Sequence, residues 1–537
     1  MSQYTLTFID TTGIQSYVFS SNRLRENIGA SYLVSAATGE WVEETLEKVG
    51  IPRNKQYEPI DSSDCHGEII YAGGGNALII FRTETLAKQF TQILSKRVLI
   101  DAPGLNLLVA HKTFDWKEDK LYQVVKNLVT EKIERQKYER VISTPLLGLG
   151  VTATCNSTLL PAVDRSDNHI QYEDGEGEKI YLVSRETKQK LIAARKANQK
   201  LQKLFEGVVN TDIYKFPFRT DNLGRTSGES SYAAVIHADG NGMGKRFQKH
   251  GEGKENRDYI NSMRSLSASV QQAGEKALIA ITEKIVNSIS QGKIVGKLGE
   301  FTLKSQYYLP FRPLVYGGDD TTFVCEGRIG LELAALYLQE LEKQEIADGK
   351  KLTACAGICI VKTHYPFARA YEISEELCRE AKKFVKEKVK EKKEFEPDGF
   401  SALDWHLAAS GLSGSISEIR KREYQVKSGE LNMRPVRLNK HDDEWRTWEG
   451  FTDIIQEFKA GENWCDRNNK IMDLRDVLRR GKLATQDFLR NIGVERLPDF
   501  PKCGKEIDKL AKEGWLGKRC GYFDAIEAME FYLGLDD

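Results

Sequence analysis

The sequence predicts an α+β protein in which a ferredoxin-like unit occurs twice, the copies joined by a helical linker and followed by a C-terminal helical domain. Three observations predict it. Hydrophobic period and glycine punctuation give the order β-α-β-β-α-β over residues 3–137 and again over 231–390. Both copies join their central strand pair through glycines, YAGGGNALII in the first and VYGGDDTTFV in the second. In both, the first strand ends on aspartate, Asp10 and then Asp239. Self-similarity of this kind marks a duplicated fold. The expected boundaries are 1–145, 146–225, 226–400 and 401–537.

In the first unit, a strand from Tyr4 to Ile9 precedes a long helical stretch at about 23–49. EIIYAG and NALIIF follow as a strand pair around Gly73-Gly74-Gly75. A helix (84–97), the strand LNLLVAH and a helix (117–137) complete the order. In the second unit, SYAAVIHA is the strand before Asp239. Residues 261–289 place Leu266, Val270, Ala273 and Ala277 at helical spacing. PLVYG and TTFVC flank Gly317-Gly318-Asp319-Asp320. A helix (330–347), the strand LTACAGICIV and a helix (367–390) end the copy. The linker carries a polar loop and a basic helix with Lys188, Lys190, Arg195, Lys196, Lys200 and Lys203, read as a solvated face or an RNA or protein contact. Helices are expected at 450–459, 471–491, 504–513 and 521–533, with Trp405, Trp445, Trp448 and Trp464 in the core.

Composition excludes several classes. Lys plus Arg equals Asp plus Glu, 78 each, so no global basic field draws in nucleic acid. The N-terminus has no basic segment leading an apolar one, and no apolar run approaches the ~20 residues that span a bilayer. The nine cysteines form no CxxC pair, which suits reduced thiols in a cytoplasmic protein. Cys355 and Cys359 are expected to point into the core, and Cys503 with Cys520 lacks partners for a zinc site.

The acidic turn carries the chemistry. A hairpin at Asp319-Asp320 lies beside the strand that ends at Asp239, so three carboxylates meet at one sheet edge. Like charges so placed raise one another's pKa, and a pair of divalent cations relieves them. Mg²⁺ or Mn²⁺ at Asp239, Asp319 and Asp320 would suit attack by a 3′-hydroxyl with loss of pyrophosphate. Alone, Gly-Gly-Asp-Asp is only a turn; the Asp at the end of strand one and the repeated order around both give it weight. Gly240, Asn241, Gly242, Met243, Gly244 and Lys245 form a glycine-rich loop whose amides can cradle a triphosphate, without the spacing of a Walker motif. Lys245 has two readings, a phosphate ligand or a surface lysine. Arg379, Lys382 and Lys383 likewise read as triphosphate contacts or as a salt-bridged helix face. His406 is expected to be structural.

Together these residues resemble the large palm-domain subunit of type III CRISPR effector complexes, the cyclic oligoadenylate synthetase, and more distantly the GGDEF-type diguanylate cyclases. The motifs that carry the resemblance are Asp10 with Gly13-Ile14-Gln15, Asn27 to Leu33, Gly73-Gly74-Gly75, Ala238 to Gly244, Gly317-Gly318-Asp319-Asp320, Ala356-Gly357-Ile358, Ala381-Lys382 and SALDWH. The resemblance implies a catalytic second palm and a first palm that binds the acceptor ATP at Gly73, Gly74 and Gly75 without supplying metal ligands. Gly317, Gly318 and Lys382 would contact the nucleotide, with Lys382 on the triphosphate. It further implies cyclic oligoadenylates made from ATP, sister CRISPR subunits, and guide and target RNA as partners. Three departures stand out. The family often begins with an HD nuclease domain, but here the one His-Asp dipeptide is His441-Asp442, so no DNase activity is expected. Of a four-Cys zinc module between the palms only Cys155 remains, and Asn241 stands where an acidic residue is common. A non-enzymatic RNA-binding scaffold, and a stand-alone cyclase making another ATP-derived messenger, are the alternative readings.

Overall fold

The computed structural model describes residues 3–139, 150–170, 179–223, 231–303, 307–391, 399–408, 414–442, 444–501 and 507–535. Cys503 and part of the polar linker loop lie outside them.

The first unit runs β1 (Gln3–Thr12), α1 (Ile14–Phe19), α2 (Leu24–Thr38), α3 (Glu40–Lys48), β2 (Gly67–Gly73), β3 (Asn76–Phe81), α4 (Glu84–Asp101) and β4 (Asn106–Asp115). Its sheet has the order β2-β3-β1-β4 with every neighbour antiparallel, the ferredoxin-like arrangement. The helical stretch expected at 23–49 is two helices, broken at Gly39. The helix expected at 117–137 is α5 (Leu121–Asn127) and α6 (Glu134–Glu139) around a π-helical segment, Leu128–Ile133.

In the linker, β5 (Asp164–Arg165) pairs with β6 (Leu182–Val183) ahead of α7 (Arg185–Leu204). The basic helix α7 is partly a docking element. It packs so closely on α2 that a side chain at Gly29 would run into the Lys190 backbone. Lys190 is buried, its Nζ donating to Tyr17 O and to Glu186 Oε1, both at 2.7 Å.

The second unit runs β7 (Tyr232–Gly240), α8 (Met243–Gly251), α9 (Asn256–Asn287), a small meander of β8 (Ile289–Ser290), β9 (Lys293–Gly296) and β10 (Gly299–Thr302), then β11 (Phe311–Val315), β12 (Asp320–Glu326), α10 (Gly330–Glu342), β13 (Ala354–Lys362), α11 (Phe367–Glu391) and β14 (Ala402–Ala408). After it come α12 (Ile416–Glu423), β15 (Gln425–Val426), β16 (Gly429–Glu430), β17 (Val436–Arg437), α13 (Trp448–Ala460), α14 (Asn468–Arg480), α15 (Lys482–Ile492), α16 (Ile507–Glu513), β18 (Trp515–Leu516), β19 (Arg519–Cys520) and α17 (Phe523–Ala528). The sheet order β11-β12-β7-β13 repeats that of the first unit, and β14 and β17 extend it. The sheet therefore continues past residue 400. The SALDWH segment is β14, parallel to β13 with α11 as the crossover. Among the described residues no helix is long and apolar enough to cross a membrane.

His406 sits in β14 against Tyr424, and burial with the Arg434 and Arg420 charges pushes its imidazole down to about 3, so it is neutral. That agrees with a structural role. Cys355 and Cys359 are fully buried.

Among the contacts that join the units, two lie on α9. Tyr259, Ile260 and Met263 of α9 complete an apolar cluster with Leu6, Phe8, Leu78 and Ile80 of the first sheet. Beside it, the fully buried Glu68 of β2 accepts from Arg257 at 2.6 and 3.0 Å and from Arg264 at 2.9 Å. Removing the carboxylate strands two guanidinium groups at the edge of an apolar contact. Glu68→Ala is expected to lower stability by about 3 kcal/mol, measured by urea unfolding; an unchanged midpoint would show the cluster to be peripheral.

Candidate active site

The duplicated strands meet in duplicated register. Asp10 pairs with Asn76, and Asp239 pairs with Asp320. One residue on, Thr11 N donates to Gly75 O at 2.9 Å, and Gly240 N donates to Asp319 O at 3.0 Å. Three residues after each strand-end aspartate, Gly13 (φ 67°) and Gly242 (φ 66°) cap short helices in the left-handed region that favours glycine. Even a basic partner recurs. Lys137 Nζ lies 2.6 Å from Asp10 Oδ2, and Lys382 Nζ lies 2.5 Å from Asp239 Oδ2. Gly75-Asn76 thus stands where Asp319-Asp320 stands in the second unit, which leaves the acidic pair in one unit only.

Asp239 and Asp319 open into a cleft of about 940 Å³ between the loop 240–250 and α11. Lys245, Lys249, Lys350, Lys382, Lys386 and Lys390 line it. Lys382, Lys386 and Lys390 are spaced four apart, one face of α11, so the sequence carried this signal. Arg246, also on the wall, is held by Asp348 through two hydrogen bonds of 2.7 and 2.8 Å. Gly240, Asn241, Gly242, Met243 and Gly244 line the cleft. The Asn241 amide is already engaged, donating to Phe400 O at 3.0 Å and Thr353 Oγ1 at 3.1 Å. It ties the loop to the sheet. Lys383 lies on the opposite wall of α11, in a different cleft, and Arg379 is exposed near Glu375.

A second, smaller cavity of about 120 Å³ lies between the units. Gly73 and Gly74 of the first turn face Gly317 of the second across it, with Tyr32, Tyr316 and Lys200 on its walls. Gly75 turns away, against Ile14 and Thr11, and Gly318 lies by Gly274 of α9.

The charges at the sheet edge are crowded. The Asp319 side chain reaches solvent at the tip of the turn, yet the protein packed around it, then the charges of Asp239 and Asp320, push its carboxyl up to about 6. Burial pulls the Lys382 ammonium down, but Asp239 more than offsets this and the net direction is up. Among the described residues no three His, Cys, Asp or Glu side chains converge closely enough to hold a metal ion. The reason is local: Lys382 is seated on Asp239, and Asp320 is turned to His237 Nδ1 at 3.2 Å. A lysine ammonium and an imidazole thus already face two of the carboxylates. The donor set nevertheless fits a hard divalent cation, being three carboxylates crowded at one sheet edge. Cys155, buried and 3.4 Å from Thr187 Oγ1, belongs to no such group either.

The comparisons with known proteins agree with this geometry. Residues 232–391 match the model of the Cas10/Cmr2 second palm domain. That segment is therefore similar to a Cas10/Cmr2 palm. No curated protein sequence matches the chain. Among solved structures, the chain is similar to Csm1 from T. onnurineus, with TM-score 0.51 and 16% identity over 99% of this chain and 70% of that one. It is similar also to the Csm1–Csm4 cassette in complex with pppApApA, TM-score 0.52 and 13% identity over 98% and 69%. The cassette in complex with one ATP gives TM-score 0.50 and 13% identity over 99% and 70%. At these identities the likeness establishes the fold. The palm contains all three aspartates and Lys382.

Because the Asp319 proton is retained up to about pH 6, it competes with a divalent cation below that pH. Mn²⁺ affinity of the palm should climb between about pH 5 and pH 7 and level off above, as followed by electron paramagnetic resonance of free Mn²⁺. A flat profile would mean that Asp319 takes no part.

Proposed function

We propose that the chain is a nucleotidyltransferase that joins ATP into cyclic oligoadenylates, as the large subunit of a type III CRISPR effector complex. The observation that carries this reading is the asymmetry of the repeat: both units keep the strand-end aspartate, Asp10 and Asp239, but only the second has Asp319 and Asp320 beside it, next to a lysine-lined cleft, where the first has Gly75 and Asn76.

Lys245, Lys249, Lys386 and Lys390 bind the triphosphate, whose charge the cleft complements. Backbone amides of the 240–244 loop and the start of α8 orient it. Asp239, Asp319 and Asp320 would hold Mg²⁺ or Mn²⁺, which supply the charge that activates a 3′-hydroxyl and steadies the leaving pyrophosphate. Lys382, which lies on Asp239 and donates to Gly240 O, would be the residue to turn to the phosphates once a cation held Asp239. The first unit acts as a second palm in shape only. Its Gly73-Gly74 turn, facing Gly317, holds the acceptor nucleotide, and Asn76 in place of an aspartate leaves it without metal ligands. The Csm1 relatives were crystallised with Csm4, with ATP and with pppApApA, which supports an ATP-derived oligomer and a sister subunit here. One feature favours the scaffold reading instead, the Lys382–Asp239 ion pair that fills a metal ligand.

Incubation with ATP and Mn²⁺, read by mass spectrometry with and without co-purified subunits and RNA, separates the two. Oligoadenylates from the wild type, and none from Asp319→Ala with Asp320→Ala, are expected. No ATP-derived product from either preparation would favour the scaffold. Lys386→Ala is expected to raise the KM for ATP roughly tenfold, the value of one charge-assisted hydrogen bond, with kcat little changed in steady-state kinetics.

A further inference from the structure

Asp320 opens β12 and stands opposite Asp239, so both side chains leave the same face of the sheet. One step further along that face, His237 stands opposite Thr322. The His237 ring is 4% exposed; its Nδ1 lies 3.2 Å from Asp320 Oδ1 and 3.4 Å from Thr322 Oγ1. Asp320 Oδ1 is buried, whereas the Asp320 side chain as a whole is 47% exposed. One carboxylate oxygen is therefore covered by the imidazole, and the rest of the group is open.

Behind His237 the packing is aromatic. Tyr371 of α11 meets the imidazole edge-on, with centroids 5.6 Å apart and planes at 75°. Phe19 of α1 stacks on Tyr371 at 3.8 Å and 23°, and on Phe367 at 5.7 Å. Phe19 and Tyr371 are both buried. Three packed rings thus run from the first unit's opening helix to the oxygen of a carboxylate in the second. A buried imidazole is a poor filler when an apolar side chain would pack without a polar cost. The rest of the buried strand, Ala233 to Ile236 and Ala238, is apolar.

We propose that His237 is a positioning residue for Asp320, and that Phe19 and Tyr371 hold His237 in place. Docking of the first unit then sets the orientation in which Asp320 offers its open oxygen to a divalent cation. Groups that fix metal-binding carboxylates from behind commonly change metal affinity by about 10- to 100-fold when removed. The proposal rests on the reading of Asp239, Asp319 and Asp320 as cation ligands.

The test is Mn²⁺ binding to the full chain without nucleotide, by electron paramagnetic resonance, alongside far-UV circular dichroism to verify folding. Asp320→Ala reports the site itself. His237→Ala should weaken Mn²⁺ binding roughly tenfold, and His237→Asn, whose Nδ2 donates from near the place of Nδ1, should recover most of the loss. Phe19→Leu, which keeps an apolar side chain but no ring, should weaken binding several-fold and lower kcat while leaving the KM for ATP in place. Wild-type affinity in His237→Ala, or equal losses in His237→Ala and His237→Asn, would overturn the positioning role while the site stands. Mn²⁺ binding indifferent to Asp320→Ala would overturn the ligand assignment, and the positioning role with it.

Discussion

Repulsion among three carboxylates at one sheet edge is the constraint on which the site depends. Strand pairing places Asp239 and Asp320 directly opposite each other, and the turn adds Asp319. The backbone cannot separate them without giving up the ladder. The protein answers with Lys382 on Asp239, with the His237 imidazole beside Asp320, and with an Asp319 carboxyl pushed up to about 6. The first unit met the same problem in a milder form. Asp10 has its own Lys137, while glycine and asparagine at 75 and 76 remove the other two charges. The duplicated lysine–aspartate pair is thus a property of the fold, and the additional aspartates are the specialisation of one copy.

The docking of the two units places the neutral turn where it can serve the acidic one. Glu68 with Arg257 and Arg264, and the α9 cluster beside it, fix α9 of the second unit on the first sheet. On the other side, Phe19 seats α1 against α11, the helix that also bears Lys382. The two glycine turns then face each other across a cavity that the linker residue Lys200 also lines. Rigid contacts on both flanks, with the cavity between, suit a site built from two halves.

Much of this was legible in the sequence. The repeat, the Asp10–Asp239 match and the Gly75-Asn76 for Asp319-Asp320 exchange follow from alternation and glycine punctuation, and the observed registers agree residue for residue. Three things were not legible. The meander of β8 to β10 consists of strands too short for alternation to register. β14 carries Asp404 and His406, which break the apolar pattern of a buried strand, and only the parallel pairing with β13 makes it part of the sheet. Asn241 lines the cleft with its neighbouring glycines, but its amide also closes on Phe400 and Thr353, contacts of long sequence separation that no local pattern reveals. His237 could have been found: it is the one titratable residue between Tyr232 and Asp239 in an otherwise apolar run, two positions before Asp239 and therefore on the same face.

The most direct measurement of the account is a structure of the chain with Mn²⁺ and a non-hydrolysable ATP analogue, the metal located by its anomalous scattering. The account predicts Mn²⁺ among Asp239, Asp319 and Asp320, with the Lys382 ammonium moved from Asp239 to the phosphates. Lys382 still seated on Asp239, with the analogue bound and no metal at the three aspartates, would contradict it.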